Sequence, residues 1–173
     1  AYLYLKDTVR ALENFDQAIR TNRENPNGYY QRGTLLLQKE EYARAEADFD
    51  MSIRCDSAFL PPYFNRAVVY SNTNRPMQAL ADFDRVLQLD STNSFTYFNR
   101  AILRTQIGDY NRPLDDFDRV ALYSPGNVQV YYLRAMLKTR LGDLEGAERD
   151  YTRAIELYPD FANAYLNRSA LRY

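Results

Sequence analysis

The chain has 173 residues, 46% hydrophobic and 26% charged, with a formal net charge of −1. That composition suits a folded chain with ample apolar material, and its near-neutral balance offers no global attraction to nucleic acid or to an anionic membrane. Histidine is absent and Cys55 is the only cysteine, which excludes the commonest general base and transition-metal ligand, thiolate clusters and an intrachain disulfide.

Taken in order, apolar residues at helical spacing predict helices at 8–22, 27–39, 42–55, 60–72, 76–89, 94–107, 110–122, 128–141, 144–157 and 161–172. No strand pattern competes, and no apolar run is long enough to span a bilayer. Within 60–72, Tyr63, Ala67 and Tyr70 fall at i, i+4 and i+7; within 76–89, Ala79, Phe83 and Val86 do the same. Gly108-Asp109 and Gly142-Asp143 read as a helix-terminating glycine followed by an Asp N-cap. Pro125 and Pro159 stop a helix, whereas Pro61, Pro62 and Pro76 sit near helix starts, where a missing N–H costs least. Pro113 is expected inside the first turn of its helix, with some local distortion. Ala1 to Leu5 align with the last turn of a preceding helix.

These elements recur. "YFNRA" begins at Tyr63 and again at Tyr97, flanked by "YYQRG" at Tyr29, "YYLRA" at Tyr131 and "YLNRS" at Tyr165. Arg32, Arg66, Arg100, Arg134 and Arg168 are spaced by 34, as are Phe15, Phe49, Phe83, Phe117 and Tyr151. Ala11, Ala45, Ala79, Pro113 and Ala147 keep that register, and so do Asp48, Asp82, Asp116 and Asp150. A pair of amphipathic helices this short cannot bury its stripe alone, so neighbouring pairs must stack. The expectation is an all-α solenoid of 34-residue helix–turn–helix repeats forming one domain over 1–173. Residues 1–26 are read as the remnant of a repeat (mainly its second helix), 27–160 as four full repeats, and 161–173 as the first helix of another. Neither end carries a polar capping element, so the chain is read as a piece of a longer repeat protein.

The unit resembles the tetratricopeptide repeat family. Tyr131, Ala135, Ala147, Tyr151, Ala154 and Pro159 fill the family's aromatic, small and closing-proline slots, and "GDLEGAERDYTRAIELYP" from Gly142 is close to its consensus. Pro113 stands in a usual Ala slot, and Ser57 and Ser91 stand where the closing Pro is expected. The resemblance implies a right-handed superhelix whose concave face is lined by the first helices. Most members bind protein or peptide ligands on that face.

At about 100° per residue, the side of each first helix opposite its stripe can be projected. It carries Tyr30, Gln31, Thr34 and Gln38; Phe64, Asn65, Val68 and Asn72; Phe98, Asn99, Ile102 and Gln106; Tyr132, Leu133, Met136 and Arg140; and then Asn167. Asn65, Asn99 and Asn167 form a ladder, with Gln31 a near-equivalent and Leu133 a gap. An Asn amide can pair with both polar groups of one peptide unit, and some family members use it so. Alternatively, these amides bond neighbouring helices or water. The band Tyr30, Phe64, Phe98 and Tyr132, with Phe95 and Met136 beside it, is either an interaction patch or bulk leaning into the joints between repeats; packing favours the second. The Arg series, matched by an Asp series on the next helices, reads more simply as internal ion pairs than as an anion site.

The family's clamp for a C-terminal carboxylate requires Lys and Arg on this face, and here Arg140 alone is basic. No nucleotide loop, metal set or nucleophile with a base is present, so neither enzymatic activity nor a cofactor is expected. The functional expectation is a non-catalytic scaffold that binds a peptide segment or helix of a protein partner. Its alternative is a structural spacer or a platform for self-association through uncapped ends. Neither nucleic acid nor membrane insertion is expected, and the sequence leaves the compartment open.

Overall fold

The computed structural model of the protein describes residues 2–171. Among them are ten helices and no strand: α1 (Tyr2–Thr21), α2 (Pro26–Gln38), α3 (Tyr42–Cys55), α4 (Leu60–Asn72), α5 (Pro76–Leu89), α6 (Ser94–Gln106), α7 (Arg112–Tyr123), α8 (Val128–Leu141), α9 (Leu144–Leu157) and α10 (Ala162–Ala170). They form two compact units, Ala1–Ser91 and Thr92–Tyr173. In the first, α2 pairs with α3 and α4 with α5, while α1 packs on α2 and α3 on α4. In the second, α6 pairs with α7 and α8 with α9, while α7 packs on α8 and α9 on α10.

Short-range chemistry sets where these helices begin and end. Positions 40, 74, 108 and 142 all adopt a left-handed backbone, with φ of 60° at Glu40, 56° at Asn74, 83° at Gly108 and 85° at Gly142. That conformation ends each first helix and reverses the chain; two of the four sites meet it without glycine. Asn25, Asn93, Asn127 and Asp143 then cap helices by accepting from backbone N–H groups of the first turn.

Two expectations about boundaries fail. The bend expected between Leu5 and position 8 is missing, and α1 runs through it. Continuing the hydrogen-bond ladder needs no new nucleus, so the helix is not interrupted there. Asp109 is not an N-cap either. In the equivalent turns Ala45, Ala79 and Ala147 donate their N–H to the carbonyls of Glu41, Arg75 and Asp143. Pro113 has no N–H to give Asp109, so α7 starts at Arg112 with Asn111 before it. From its place ahead of the helix the Asp109 carboxylate still accepts from the backbone N–H of Arg112, at 3.4 Å, and from the Arg112 side chain at 2.5 Å.

The expected stripes form the core. Tyr63, Ala67, Tyr70, Ala79, Phe83 and Val86 are all buried. The small residue in the slot after each recurring Arg has a steric reason. A Cβ built on Gly33, the equivalent site, would lie 2.9 Å from the Phe49 ring. In the second unit Ala101, Phe117, Tyr131, Ala135, Tyr151 and Ala154 belong to one contiguous cluster. The loops before α4 and α8 are tied down by Tyr63, whose hydroxyl donates to the Ser57 carbonyl at 3.1 Å, and by Tyr131, which does the same to Pro125 at 3.2 Å. Because this contact uses the backbone, Ser can stand where proline is usual.

Candidate functional site

The recurring Arg is structural. Arg32 grips Asp48, and Arg66 grips Asp82, through Nε and Nη2 at 2.6–2.8 Å. Arg100 with Asp116 and Arg134 with Asp150 repeat the two-pronged pair in the second unit. Each pair joins the first helix of a unit to its second. A further carboxylate completes several of them: Asp16 for Arg32, Asp50 for Arg66 and Asp118 for Arg134. Those aspartates also lie in the 34-residue register, yet the sequence reading did not single them out. The guanidinium groups of Arg66, Arg100, Arg134 and Arg168 also stack on the Tyr three residues earlier, at 5.4–5.7 Å. "YFNRA" is thus a rivet: Tyr supports Arg, Arg clasps Asp, and Ala admits the ring behind.

Electrostatics agree with that role. The hydrogen bonds that Arg32 donates to Asp48 outweigh burial and raise the pKa of Arg32. Burial opposes the charge on Arg66, but Asp82 and Asp50 overcome it and raise its pKa as well. Burial pushes the Asp82 carboxyl upward, against the pull of Arg66. None of these charges is presented to a ligand as an open site.

On the opposite side of the first helices, the amides are partly occupied. In the first unit the Asn65 amide donates to Thr34 Oγ1 at 3.0 Å, bridging α4 to α2. In the second, Asn99 donates to the Phe95 carbonyl one turn earlier at 2.7 Å, and Asn167 donates to the Tyr132 hydroxyl at 3.1 Å. Gln31, Asn72 and Gln106 are exposed, and Val68 is half-buried. The aromatic band leans inward as packing favoured: Phe64 lies 5.6 Å from Phe83, Phe98 6.3 Å from Phe117, and Tyr132 5.9 Å from Tyr151. Phe95 and Met136 are the exceptions, 65% and 44% exposed.

One part of the projected face closes into a recess. In the second unit, Ile102 and Gln106 of α6 and Leu133, Met136 and Arg140 of α8 surround a cavity of about 440 Å³. Phe117 of α7 forms its floor, with Leu137, Thr105 and Thr139 alongside, and Tyr110 closes one flank. Tyr110 lies in the turn between α6 and α7, outside any first helix, so a projection of the first helices could not find it. A smaller recess of about 270 Å³ shares Met136 and Thr139 and reaches Asn167. On its wall, burial raises the pKa of Tyr151 while Thr139 and Asn167 pull the other way. No cluster of His, Cys, Asp or Glu suited to a metal ion occurs among the described residues, and no described helix is long and apolar enough to cross a membrane.

Tetratricopeptide repeat profiles match residues 1–58, 60–93 and 128–161. The chain belongs to the tetratricopeptide repeat family. The profiles over 60–93 and 128–161 begin at α4 and α8, in register with the helix pairs. Curated proteins give no match. Solved structures do. YrrB, described as a tetratricopeptide repeat protein with an unusual peptide-binding site, superposes with a TM-score of 0.79 at 21% identity, over 96% of this chain and 86% of that one. MamA of Desulfovibrio magneticus RS-1 gives 0.80 at 16% identity, over 92% and 90%. A tetratricopeptide repeat protein of Parabacteroides merdae gives 0.79 at 22%, over 98% and 68%. At these identities the likeness concerns the fold, an all-α solenoid of helix–turn–helix repeats.

Proposed function

We propose that this chain is a non-catalytic protein-interaction scaffold, holding an extended segment or a helix of a protein partner against the face of its first helices. Membership of the tetratricopeptide repeat family supports the scaffold role in general. The observation that carries the finer reading is the recess between α6 and α8. Five residues projected onto the ligand face, Ile102, Gln106, Leu133, Met136 and Arg140, surround it, and such apolar concavities with a few polar groups are where ligands settle. The Asn residues act as secondary contacts. The amides of Asn65 and Asn99 each spend one hydrogen in the bonds described above and retain an acceptor and a further hydrogen for a peptide backbone.

Selection of binders from a random peptide library, followed by calorimetry, tests this reading. Asn65→Ala and Asn99→Ala are expected to weaken selected peptides several-fold while helicity and unfolding midpoint stay near wild type. Failure to select any peptide, or binders indifferent both to these changes and to substitutions around the recess, contradicts it. A second reading, self-association, is favoured by apolar side chains exposed on the last elements, notably Tyr158, Tyr165 and Leu166. Concentration-dependent sedimentation that Leu166→Glu abolishes would favour it.

A further inference from the structure

Resting on the scaffold reading, we infer that the recess of the second unit takes a large apolar side chain, aromatic or long aliphatic, followed directly in the ligand by an acidic residue. The interior is more apolar than its residue types suggest. Thr105 and Thr139 turn their hydroxyls back onto their own helix, donating to the carbonyls of Ala101 and Ala135 at 2.9 Å. Their methyl groups are thereby left to join Ile102, Phe117, Leu133 and Met136 as wall. Polar recognition falls to the rim, to Gln106 and Arg140. At about 440 Å³ the recess has ample volume to bury a large side chain.

Arg140 supplies the charge. Its guanidinium lies over the Tyr110 ring at 4.0 Å and pairs with no carboxylate among the described residues. By contrast, Arg100, Arg104, Arg134 and Lys138 of the same unit are all bound to aspartates. Stacking on Tyr110 fixes the guanidinium plane at the rim without using its donors, and a preorganised fork of this kind suits a carboxylate better than a lysine would. An apolar anchor in the recess therefore places the next residue of an extended peptide beside a fixed cation.

The test uses the intact protein and three capped tetrapeptides, acetyl-Gly-Phe-Asp-Gly-amide, its Phe-Asn counterpart and its Ala-Asp counterpart, titrated against the methionine methyl signals. The Phe-Asp probe is expected to shift Met136 while Met51 and Met77 stay in place. Phe-Asn should bind about tenfold more weakly, as should the Phe-Asp probe to Arg140→Gln. The Ala-Asp probe should not saturate, and Ile102→Trp, which fills the recess, should remove the response. Equal affinity for Phe-Asp and Phe-Asn, or no effect of Arg140→Gln, overturns the charge assignment. A silent Met136 in the presence of Phe-Asp overturns the recess. Library-selected peptides that still bind Ile102→Trp and Arg140→Gln would refute this inference and leave the scaffold standing, whereas a wild-type protein that selects none removes both.

Discussion

Consider removing Arg66, the rivet of the first unit. It holds Asp82 at 2.8 and 2.7 Å and Asp50 at 2.5 Å. The side chains of Arg66 and Asp82 are 17% and 8% exposed. Arg66→Met strands two carboxylates that face each other, one of them already desolvated. Breaking a buried pair from one side typically costs 3–5 kcal/mol, and with some solvent reaching Arg66 we take the lower end, about 3 kcal/mol. Asp82→Leu leaves Arg66 its bond to Asp50 and should cost less, about 2 kcal/mol. Changing both leaves only the part-exposed Asp50, which water can reach, so the double variant should lie within about 2 kcal/mol of wild type. The pair then couples by at least about 3 kcal/mol. Urea unfolding followed by circular dichroism measures this, with amide exchange of α4 and α5 to detect opening confined to that helix pair. Strictly additive single costs would refute the claim that these charges act as one clamp.

Three further expectations follow from the same geometry. Glu40→Gly removes a left-handed strain from an exposed turn and should stabilise by about 0.5–1 kcal/mol in thermal or urea unfolding, with Asn74→Gly gaining less because Asn tolerates that region. A Cβ on Gly146 would meet the capping Asp143 carboxylate at 2.0 Å, so Gly146→Ala should be neutral or destabilising. In an Asp143→Ala background it should instead stabilise by about 0.5–1 kcal/mol, as helix propensity dictates; a sign that does not change contradicts the clash. Hydrogen bonding from Arg75 lowers the Glu46 pKa below its ordinary 4.5. A depressed carboxyl contributes stability that is present above 4.5 and lost as pH falls through its folded value. Glu46→Gln should flatten that acid limb by less than about 1 kcal/mol, since the pair is partly solvated.

Much of this architecture was written in the 34-residue period. Tyr63, Ala67, Phe83 and their equivalents are buried because bulk and smallness must alternate wherever two helix pairs meet, and that requirement leaves a periodic trace. The Arg–Asp pairing was legible for the same reason. What escaped depended on one atom or on three-dimensional closure. The late start of α7 turns on the N–H that Pro113 lacks. The second carboxylate on Arg32, Arg66 and Arg134 was visible as a series at Asp16, Asp50 and Asp118, but only packing reveals that it points at the same guanidinium. The recess needed Tyr110, a turn residue, to swing against Arg140, and no projection of one helix contains that contact. The half-spent amides of Asn65 and Asn99 were likewise beyond reach, because their partners are Thr34 on a neighbouring helix and a carbonyl of the same helix.

Whether partners are held on the first-helix face can be read by amide and methyl shift mapping with a library-selected peptide. A ligand on that face should shift Ile102, Leu133, Met136 and Arg140 and leave α9 positions such as Glu148, Arg149 and Arg153 unmoved. Perturbations confined to that α9 surface, with Met136 silent, would contradict that placement.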